Sequence, residues 1–499
     1  MLSGGAEVLD ARTVPREMTR RTRMGDDAIV AVVRDLVVSP ADGPLRVAIV
    51  GAGPAGVYAA EALAEQDAVP VAVDIIDRLP TPFGLVRYGI APDHLKMRGL
   101  RVTLQRTLDQ PRVRFFGNVE VGVDLSLAQL RAHVDAVIYT FGAADAGRLG
   151  VDGEQLPGSL TALELVSWYC GHPDADRATV EEALSQARSV VVIGVGNVAL
   201  DVARVLARGP EELQSTEMPQ HVLEALAAAP VEQVTVVGRR GPALASFTTQ
   251  ELRELGRLQS AVVLVDPHDL ELVGAAEERA AAESAVARNL AVLRGWVHHE
   301  PSPGTVRLSL RFRWRPVHLL GPDRVRALEL ERTASGADGR AVGTGELEVV
   351  PAELVVRSVG YRGTSLPGLP VDECTGTVTH TAGRVLRDGR PSTGEYVAGW
   401  IKRGPSGVVG TNKHDAKETV ASLLDDAAAG ALAPCRQPED LLTVLTRQGL
   451  HPVLLEDWRA IDAAEEALGA THGRDRTTLH DRNTLLAAAR LAAASREET

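Results

Sequence analysis

Two stretches of the chain share one hydrophobic pattern, in which a short apolar run passes directly into a glycine-rich turn. The first joins residues 47–50 (VAIV) to the turn GAGPAG at residues 51–56. Mostly β-branched apolar runs predict buried parallel strands, and the glycines that follow predict the start of a helix. The second joins residues 190–193 (VVVI) to GVGNVA at residues 194–199. The pattern therefore predicts two strand–turn–helix units.

The glycine spacing of the first unit is typical of a dinucleotide-binding turn. The first glycine permits the tight bend, the second lets a pyrophosphate approach the backbone, and the third lets helix and strand pack closely. The helix N-terminus offers free N–H groups and a positive dipole to the phosphates. The candidate residues here are Gly51, Gly53, Pro54, Ala55 and Gly56. The alternative is an ordinary tight turn between a strand and a helix.

The residues that follow the next strands distinguish the two nucleotides. Residues 71–77 form an apolar strand pattern that ends in Asp77, which suits an acid that bonds a ribose hydroxyl. In the second unit, the strand pattern at residues 233–237 is followed by Arg239 and Arg240. Guanidinium groups suit a 2′-phosphate, which an acid would repel. We therefore predict FAD at the first site and NADP(H) at the second; the alternative for the arginines is a solvated charge pair.

Composition restricts the class of protein. With 499 residues, 45% apolar and 24% charged, the chain is typical of a soluble globular protein of about three domains. No run approaches the roughly 18 apolar residues of a membrane span, and no signal-peptide core is present, so we expect a cytoplasmic protein without integral membrane association. The net charge of −13 argues against nucleic-acid binding.

Cysteine usage limits the redox chemistry. Cys170, Cys374 and Cys435 are far apart in the sequence, with no CxxC pair. The chain therefore lacks the redox-active pair of a disulfide reductase and the ligands of an iron–sulfur cluster of its own, and we predict no metal site. Electrons that reach a flavin must leave to an external acceptor.

The loop after Asp77 is specific enough to indicate a family. Residues 79–94 (LPTPFGLVRYGIAPDH) closely resemble the adrenodoxin-reductase type of ferredoxin–NADP⁺ reductase. Further similar stretches are residues 115–119 (FFGNV), 236–242 with 247–255 (FTTQELREL), and 399–413 (GWIKRGPSGVVGTNK). The resemblance runs from about residue 46 into the C-terminal region.

The resemblance implies an α/β fold with two Rossmann-like dinucleotide-binding domains. The NADP-binding domain would be inserted in the FAD-binding domain, and the C-terminal region would be helical. The expected division is an N-terminal extension at 1–45, disordered in part or one amphipathic helix, the first part of the FAD domain at 46–143, the NADP domain at 144–360, and the second part of the FAD domain at 361–499.

Matching motif positions also implies cofactor contacts. Around the flavin they are Ala55, Asp77, Leu85, Val119, Trp400, Gly407, Val408 and Val409. Around NADP(H) they are Asn197, Val198, Ala199, Leu200, Arg239, Arg240 and Glu251. His94 and Glu254 match family residues near the nicotinamide that assist hydride transfer. The alternative for His94 is a hydrogen-bonding staple of the loop.

The implied activity is electron transfer from NADPH through FAD to a ferredoxin-type iron–sulfur protein, with a hydride entering and single electrons leaving. One alternative is a flavin oxidoreductase with a small-molecule, quinone or oxygen acceptor; another is a nucleotide-loaded binding module without turnover. The oligomeric state, monomer or homodimer, stays open.

Docking of an acidic ferredoxin requires a local basic face on a chain of net charge −13. Arg311, Arg313 and Arg315 alternate within the strand pattern at residues 307–315 and are expected to project from one side. The alternative is an edge strand protected by charge.

Overall fold

The computed structural model describes residues 43–143, 145–336, 340–407, 409–437 and 439–497, with side chains up to Leu491. The predicted N-terminal extension therefore lies almost entirely outside the described residues. The first strand begins at Leu45. In the described part of the chain, no helix combines the length and the apolar character that a bilayer crossing demands.

A seven-stranded sheet carries the first glycine turn. Its neighbouring strands, in spatial order, are His380–Thr381, Arg384–Arg387, Arg390–Val397, Ala136–Tyr139, Leu45–Val50, Val71–Ile76 and Val113–Phe116. The last five of these pair in parallel, and the first two add an antiparallel edge. We call this the first sheet.

A six-stranded sheet, in which every pairing is parallel, carries the second glycine turn. Its strands, in spatial order, are Ser159–Thr161, Leu354–Arg357, Ser189–Ile193, Gln233–Gly238, Val306–Phe312 and Ala261–Val265. We call this the second sheet. All of its strands lie in sequence between the strand Ala136–Tyr139 and the later strands of the first sheet.

The smaller β elements are one antiparallel sheet and two short ribbons. The three-stranded sheet contains Trp314–Leu320, Ala327–Ser335 and Ala341–Pro351. The ribbons pair Asp145–Ala146 with Tyr361–Arg362, and Val371–Asp372 with Thr377–Val378. The first ribbon joins the two places where the chain passes between the large sheets.

Helices flank the two large sheets and fill the C-terminal region. Before the second sheet they are Pro54–Glu65, Leu85–Tyr88, Leu95–Arg98, Leu100–Leu108 and Leu127–His133. Around the second sheet they are Ala162–Tyr169, Arg177–Ser185, Asn197–Ala207, Pro210–Leu213, Gln220–Ala228, Thr249–Leu255, Ala275–Ala281 and Ser284–Gly295, with 3₁₀ turns at Pro242–Leu244 and Pro267–Leu270. The C-terminal helices are Trp400–Arg403, Val409–Ala428, Leu441–Arg447, Leu455–Thr471 and Arg482–Glu497.

The central strands of the two large sheets, such as Leu45–Val50 and Ser189–Ile193, are covered on both faces, which is why they are mostly apolar. Val47 and Ile49 pack into one core with the helix Pro54–Glu65, whereas Ala48 and Val50 pack into another core on the opposite face. Successive side chains of a strand point to opposite faces, so a strand covered on both sides loses the alternation of apolar and polar residues.

The structure corrects the expectation for Arg311, Arg313 and Arg315. The backbone at Arg313 has φ = 61°, and it separates two strands, Val306–Phe312 and Trp314–Leu320. All three side chains already have acidic partners: Arg311 pairs with Glu348, Arg315 with Glu331, and the buried Arg313 with Glu277. The expectation that the three arginines project from one side of a single strand is therefore wrong, because the strand ends at Phe312.

Candidate functional site

The first glycine turn has the shape that a pyrophosphate requires. A Cβ atom added to Gly51, where φ is +111°, would lie 2.8 Å from the carbonyl oxygen of Thr140. One added to Gly56 would lie 2.0 Å from the carbonyl oxygen of Gly51, so the strand and the helix can approach only without side chains here. A Cβ at Gly53 would meet no atom within 4 Å. Gly53 thus faces open space, as an approaching ligand needs.

Asp77 lies directly beside this turn. Its Oδ2 accepts a hydrogen bond from the backbone N–H of Ala52 at 2.7 Å, and its Oδ1 accepts one from Leu79 at 2.9 Å. The backbone N–H of Val119 donates to the carbonyl of Asp77 at 2.9 Å. Burial raises the pKa of the Asp77 carboxyl, although the two backbone N–H groups oppose that rise. The acid predicted from its spacing therefore contacts the glycine turn through its own side chain.

The proline-rich loop of residues 79–84 crosses the same turn. The backbone N–H of Phe83 donates to the carbonyl of Ala52 at 2.8 Å. A Cβ at Gly84 would lie 3.0 Å from Cα of Gly53, so the two backbones pass in close contact. Leu85 is the first residue of the short helix that follows. The loop thus brings Leu85 to the glycine turn.

The turn before Trp400 packs against the other side of this region. A Cβ at Gly399, where φ is +79°, would lie 2.6 Å from Cβ of Ala55. Trp400 begins the helix after it, and its ring stacks on Tyr361 at a centroid distance of 5.7 Å and an angle of 29°. Trp400 is therefore placed by its own contact with Tyr361 of the crossover ribbon and by the packing of the preceding Gly399 against Ala55.

The remaining predicted flavin residues follow Trp400. Gly407 has φ = +85°, which favours glycine, and Val409 is the first residue of the helix Val409–Ala428. Val408 lies outside the described residues. The helix Val409–Ala428 packs along the helix Pro54–Glu65, which begins at the first glycine turn.

The second glycine turn repeats the geometry of the first. A Cβ at Gly194 would lie 2.2 Å from the carbonyl oxygen of Ser358, whereas one at Gly196 would meet its nearest atom, Oγ of Ser246, only at 3.6 Å. The helix Asn197–Ala207 starts here, with no side chain capping its N-terminus. Its first turn can therefore offer N–H groups to an anion.

The four residues predicted at this helix start differ in what they can contact. Asn197 accepts a hydrogen bond from the backbone N–H of Thr248 through Oδ1 at 2.8 Å. The side chain of Val198 is partly buried, and those of Ala199 and Leu200 are fully buried in the core of the second sheet. Ala199 and Leu200 can therefore reach a ligand only through their backbone.

Arg239 and Arg240 are available to an anion. Both follow the strand Gln233–Gly238 and are exposed. In the ranges that the structure describes, no carboxylate forms an ion pair with either side chain, in contrast to Arg311, Arg313 and Arg315.

One cleft of about 1140 Å³ joins these features. Its walls include the second glycine turn, Arg239, Arg240, Trp400 and Gly407. The cleft thus runs from the guanidinium groups of Arg239 and Arg240 to Trp400, which directly follows the glycine that packs against Ala55. Such a shape suits an extended dinucleotide whose reactive end meets a second ligand.

A buried cluster of charges around His94 lies apart from the walls of this cleft. Nε2 of His94 is 2.7 Å from Oε2 of Glu251 and 3.0 Å from Oδ1 of Asp201. Arg204, fully buried, contacts both acids and the carboxylate of Asp93. Burial would lower the pKa of His94, but its hydrogen bonds to Asp201 and Glu251 raise it to about 9.

The structure brings His94 together with Glu251 rather than with Glu254. The carboxylate of Glu254 accepts a hydrogen bond from Arg257 at 2.5 Å, and its side chain is 23% exposed. A shared role of His94 and Glu254 near the nicotinamide stays a prediction.

Sequence reasoning missed Asp93, Asp201, Arg204 and Tyr361. Asp201, Arg204 and Arg208 recur at helical spacing in and just after a mostly apolar segment, a pattern that usually indicates a solvent-facing stripe. Asp93 was the available signal in the sequence. A carboxylate in the loop before His94 needs a positively charged partner if that loop is buried.

Three comparisons with known proteins bear on this site. Residues 45–256 match the family model described as pyridine nucleotide-disulphide oxidoreductase. NADPH-ferredoxin reductase FprA of Mycobacterium tuberculosis is 44% identical over 451 residues, which cover 87% of this chain and 97% of that protein. The mitochondrial NADPH:adrenodoxin oxidoreductase of Arabidopsis thaliana is 37% identical over 469 residues, covering 90% of this chain and 96% of that protein.

The fold is similar as well. The solved structure of Mycobacterium tuberculosis FprA in complex with NADPH superposes with a TM-score of 0.83 at 42% identity. The match covers 89% of this chain and 99% of that one.

Proposed function

Because the chain belongs to the adrenodoxin-reductase type of ferredoxin–NADP⁺ reductases, we propose that it carries electrons from NADPH through bound FAD to a ferredoxin-type iron–sulfur protein. The observation that carries the proposal is the single cleft between Arg239, Arg240 and the Trp400 turn. FAD, when bound, accepts a hydride and gives up electrons one at a time. The protein binds and orients the two nucleotides.

The residues around the first glycine turn would hold FAD. Gly53 and the start of the helix Pro54–Glu65 would face the pyrophosphate, and the carboxylate of Asp77, beside the same turn, would bind a ribose hydroxyl. Around the rest of the flavin we assign Gly51, Pro54, Ala55, Gly56, Leu85, Val119, Trp400, Gly407, Val408 and Val409. The open space at Gly53 supports the fit, since a Cβ added there would meet no atom within 4 Å.

The residues around the second glycine turn would hold NADP(H). The backbone of residues 197–200 would face the pyrophosphate, and Arg239 and Arg240 the 2′-phosphate. We assign Glu251 to the nicotinamide half, together with His94 and Glu254. A bound nucleotide that reaches Glu251 would compete with His94 for that carboxylate, because the two lie 2.7 Å apart.

The two sheets support a division into domains. We propose an FAD-binding domain at 46–143 and 361–499, an NADP-binding domain at 144–360, and an extension at 1–45. Every strand of the second sheet falls between Ser159 and Arg357. The ribbon of Asp145–Ala146 with Tyr361–Arg362 lies at both proposed crossings.

We also propose a cytoplasmic location. Cys170, Cys374 and Cys435 are all free thiols, which is typical of proteins in a reducing compartment.

The test is a two-step anaerobic stopped-flow experiment with the FAD-loaded protein. NADPH should first bleach the flavin absorbance on the stopped-flow timescale, and NADH should bleach it much more slowly. The reduced protein is then mixed with a panel of ferredoxins, a cytochrome, a quinone and oxygen. Faster reoxidation by a ferredoxin than by the other acceptors is expected.

Two outcomes would contradict the proposal. If NADPH leaves the flavin oxidised, the protein is a nucleotide-binding module without turnover. If a quinone or a small molecule outpaces every ferredoxin, the protein is a flavin oxidoreductase with another acceptor. The FAD-free protein is the matched control, because it should pass no electrons to any acceptor.

A further inference from the structure

Arg204 is the most enclosed charged side chain near the proposed site. Its side chain is 0% exposed, and it projects from the helix Asn197–Ala207 of the second sheet toward the loop that ends in His94. Nε and one terminal nitrogen bind the two oxygens of Asp93 at 2.6 and 2.9 Å, in the paired geometry that favours arginine over lysine.

The rest of the guanidinium contacts the partners of His94. The other terminal nitrogen lies 2.8 Å from Oδ1 of Asp201 and 3.4 Å from Oε2 of Glu251. The nitrogen that binds Asp93 is also 2.7 Å from Nε2 of His94. Arg204 therefore contacts each acid that faces His94 and also holds the residue next to it in the chain.

We propose that Arg204 is a positioning residue for the hydride-transfer site: by holding Asp93 and Asp201 together, it fixes the His94 ring between the loop of residues 91–94 and the helices Asn197–Ala207 and Thr249–Leu255. This inference rests on the proposed function and concerns residues to which neither the family resemblance nor the comparisons assign a role. A buried arginine that only stabilises the fold would affect flavin reduction no more than the loss of another buried, paired arginine does.

The charges around His94 predict how each substitution should shift the pKa of His94. Asp93, Asp201 and Glu251 carry three negative charges, and Arg204 and Arg208 carry two positive charges, with Nε of Arg208 3.4 Å from Asp93. A protonated His94 therefore makes the cluster neutral. Loss of Arg204 should favour the imidazolium, whereas loss of the Asp93 charge should disfavour it.

The experiment compares Arg204→Met, Arg204→Lys and Asp93→Asn in the FAD-loaded, nucleotide-free protein. The His94 ring signal is followed by NMR through a pH titration, after assignment with His94→Gln. We expect the pKa of His94 to move above about 9 in Arg204→Met and below it in Asp93→Asn, with Arg204→Lys between Arg204→Met and the unchanged protein. General loosening of the fold would move both pKa values in the same direction.

Flavin reduction by saturating NADPH supplies the second readout. We expect Arg204→Met to slow the limiting rate by about ten- to a hundred-fold, since small displacements of positioning groups have effects of that order, and Arg204→Lys to recover part of it. Arg313→Met is the matched control, because Arg313 is also buried and paired with a carboxylate, Glu277, away from His94.

The proposal is overturned if the pKa of His94 is the same in Arg204→Met, Arg313→Met and the unchanged protein. It is also overturned if the two Arg→Met variants slow flavin reduction equally. If Arg204→Met does not fold, Arg204→Lys and Asp93→Asn still test the opposite pKa shifts. Failure of the unchanged protein to accept electrons from NADPH would remove the proposed function instead, and the NMR titration would still show whether the charges of Arg204 and Asp93 act on His94.

Discussion

At the scale of single residues, the choice of coenzyme depends on Arg239 and Arg240. Both are exposed in the cleft that also contains the second glycine turn. Hydrogen bonds to charged groups contribute roughly 1.5–3 kcal/mol each, so two give roughly 3–6 kcal/mol if they are independent. At about 1.4 kcal/mol per tenfold change, this corresponds to a preference for NADPH over NADH of about 10²–10⁴. Because the two arginines are solvated when no nucleotide is bound, we expect a preference near the lower end of this range.

Replacement of Arg239 and Arg240 by alanine should therefore weaken the binding of NADPH strongly and leave the binding of NADH nearly unchanged. Catalytic efficiency with each coenzyme, measured with ferricyanide as the acceptor, gives the ratio. The FAD content should stay intact, since the flavin is assigned to the other glycine turn. Equal losses for the two coenzymes would mean that the arginines are structural and that the second site does not select NADPH.

His94 predicts a pH dependence of stability in the nucleotide-free protein. Its pKa is raised from 6.5 to about 9, so the folded state binds the proton more tightly than the unfolded chain does. The stabilisation is complete below pH 6.5 and is lost as the pH rises through 9. At about 1.4 kcal/mol per pKa unit, the loss over this shift is at most about 3.5 kcal/mol.

The measurement is the urea midpoint at several pH values from 6.5 to 9. His94→Gln should show a flatter decline over that range than the unchanged protein. His268→Gln is the control, because the side chain of His268 is 80% exposed. Parallel declines in the unchanged protein and His94→Gln would show that His94 does not retain its proton in the folded state.

At the scale of the elements, the sequence predicted features that depend on neighbouring residues but missed contacts between distant segments of the chain. The two strand–turn–helix units follow from apolar runs and glycine spacing alone, and the structure places both as expected. Residues 275–295 form two helices, Ala275–Ala281 and Ser284–Gly295, with a break between them. Periodicity could not show that break.

Charged residues were the harder part of the prediction. The alternation of Arg311, Arg313 and Arg315 predicts that they project from one side of a strand, yet each is held by an acid from another segment of the chain. The cluster of Asp93 and Arg204 likewise joins residues 111 positions apart. A single sequence shows a charge but not its partner, and the partner decides whether the charge is exposed or buried.

The turn before Trp400 offers a matched pair of glycines for testing the flavin assignment. Gly399 and Gly404 have nearly equal φ values, +79° and +80°. A Cβ at Gly399 would lie 2.6 Å from Ala55, whereas one at Gly404 would meet nothing within 4 Å. Overpacking of this kind costs about 1–3 kcal/mol, so Gly399→Ala should weaken FAD binding by about ten- to a hundred-fold.

Gly404→Ala has the same backbone strain without the clash and should retain its FAD. The flavin-to-protein absorbance ratio after extensive dialysis compares the two variants. If they lose FAD equally, backbone strain rather than contact with the first glycine turn controls the binding, and the Trp400 turn would no longer be tied to the flavin.

At the scale of the whole molecule, buried charges connect segments that lie far apart in sequence. The carboxylate of Glu465, 0% exposed, binds Arg87 and Arg476, and it also accepts the backbone N–H of Leu479 at 2.8 Å. The same C-terminal segment reaches Glu217, whose carbonyl accepts the backbone N–H of Thr478 at 2.9 Å. The segment after the helix Leu455–Thr471 thus joins the loop of the first sheet to the helical surroundings of the second.

Glu217 adds a second buried carboxylate to this connection. Burial opposes its ionisation, but Arg98 and Arg101 pair with it and lower its pKa to about 2. Since a lowered pKa stabilises the fold above the unfolded value, that stabilisation is present above pH 4.5 and is lost as the pH falls toward 2. The contacts of the C-terminal segment with the two large sheets therefore depend on the arginines that pair with Glu465 and Glu217.

The neighbouring acids Glu465 and Glu466 allow this dependence to be tested. Both pair with Arg476, but the side chain of Glu466 is 60% exposed and that of Glu465 is 0% exposed. Glu465→Gln leaves the buried Arg87 without its counter-charge, which for a broken buried pair costs about 3–5 kcal/mol. Glu466→Gln removes only a solvent-screened partner and should cost less than about 1 kcal/mol. Urea unfolding of the FAD-loaded variants, followed by circular dichroism and flavin fluorescence, measures both losses. Equal, small losses would mean that water or a rearranged side chain compensates the charge of Arg87. The C-terminal segment would then hold the two large sheets together through its backbone contacts rather than through its buried charges.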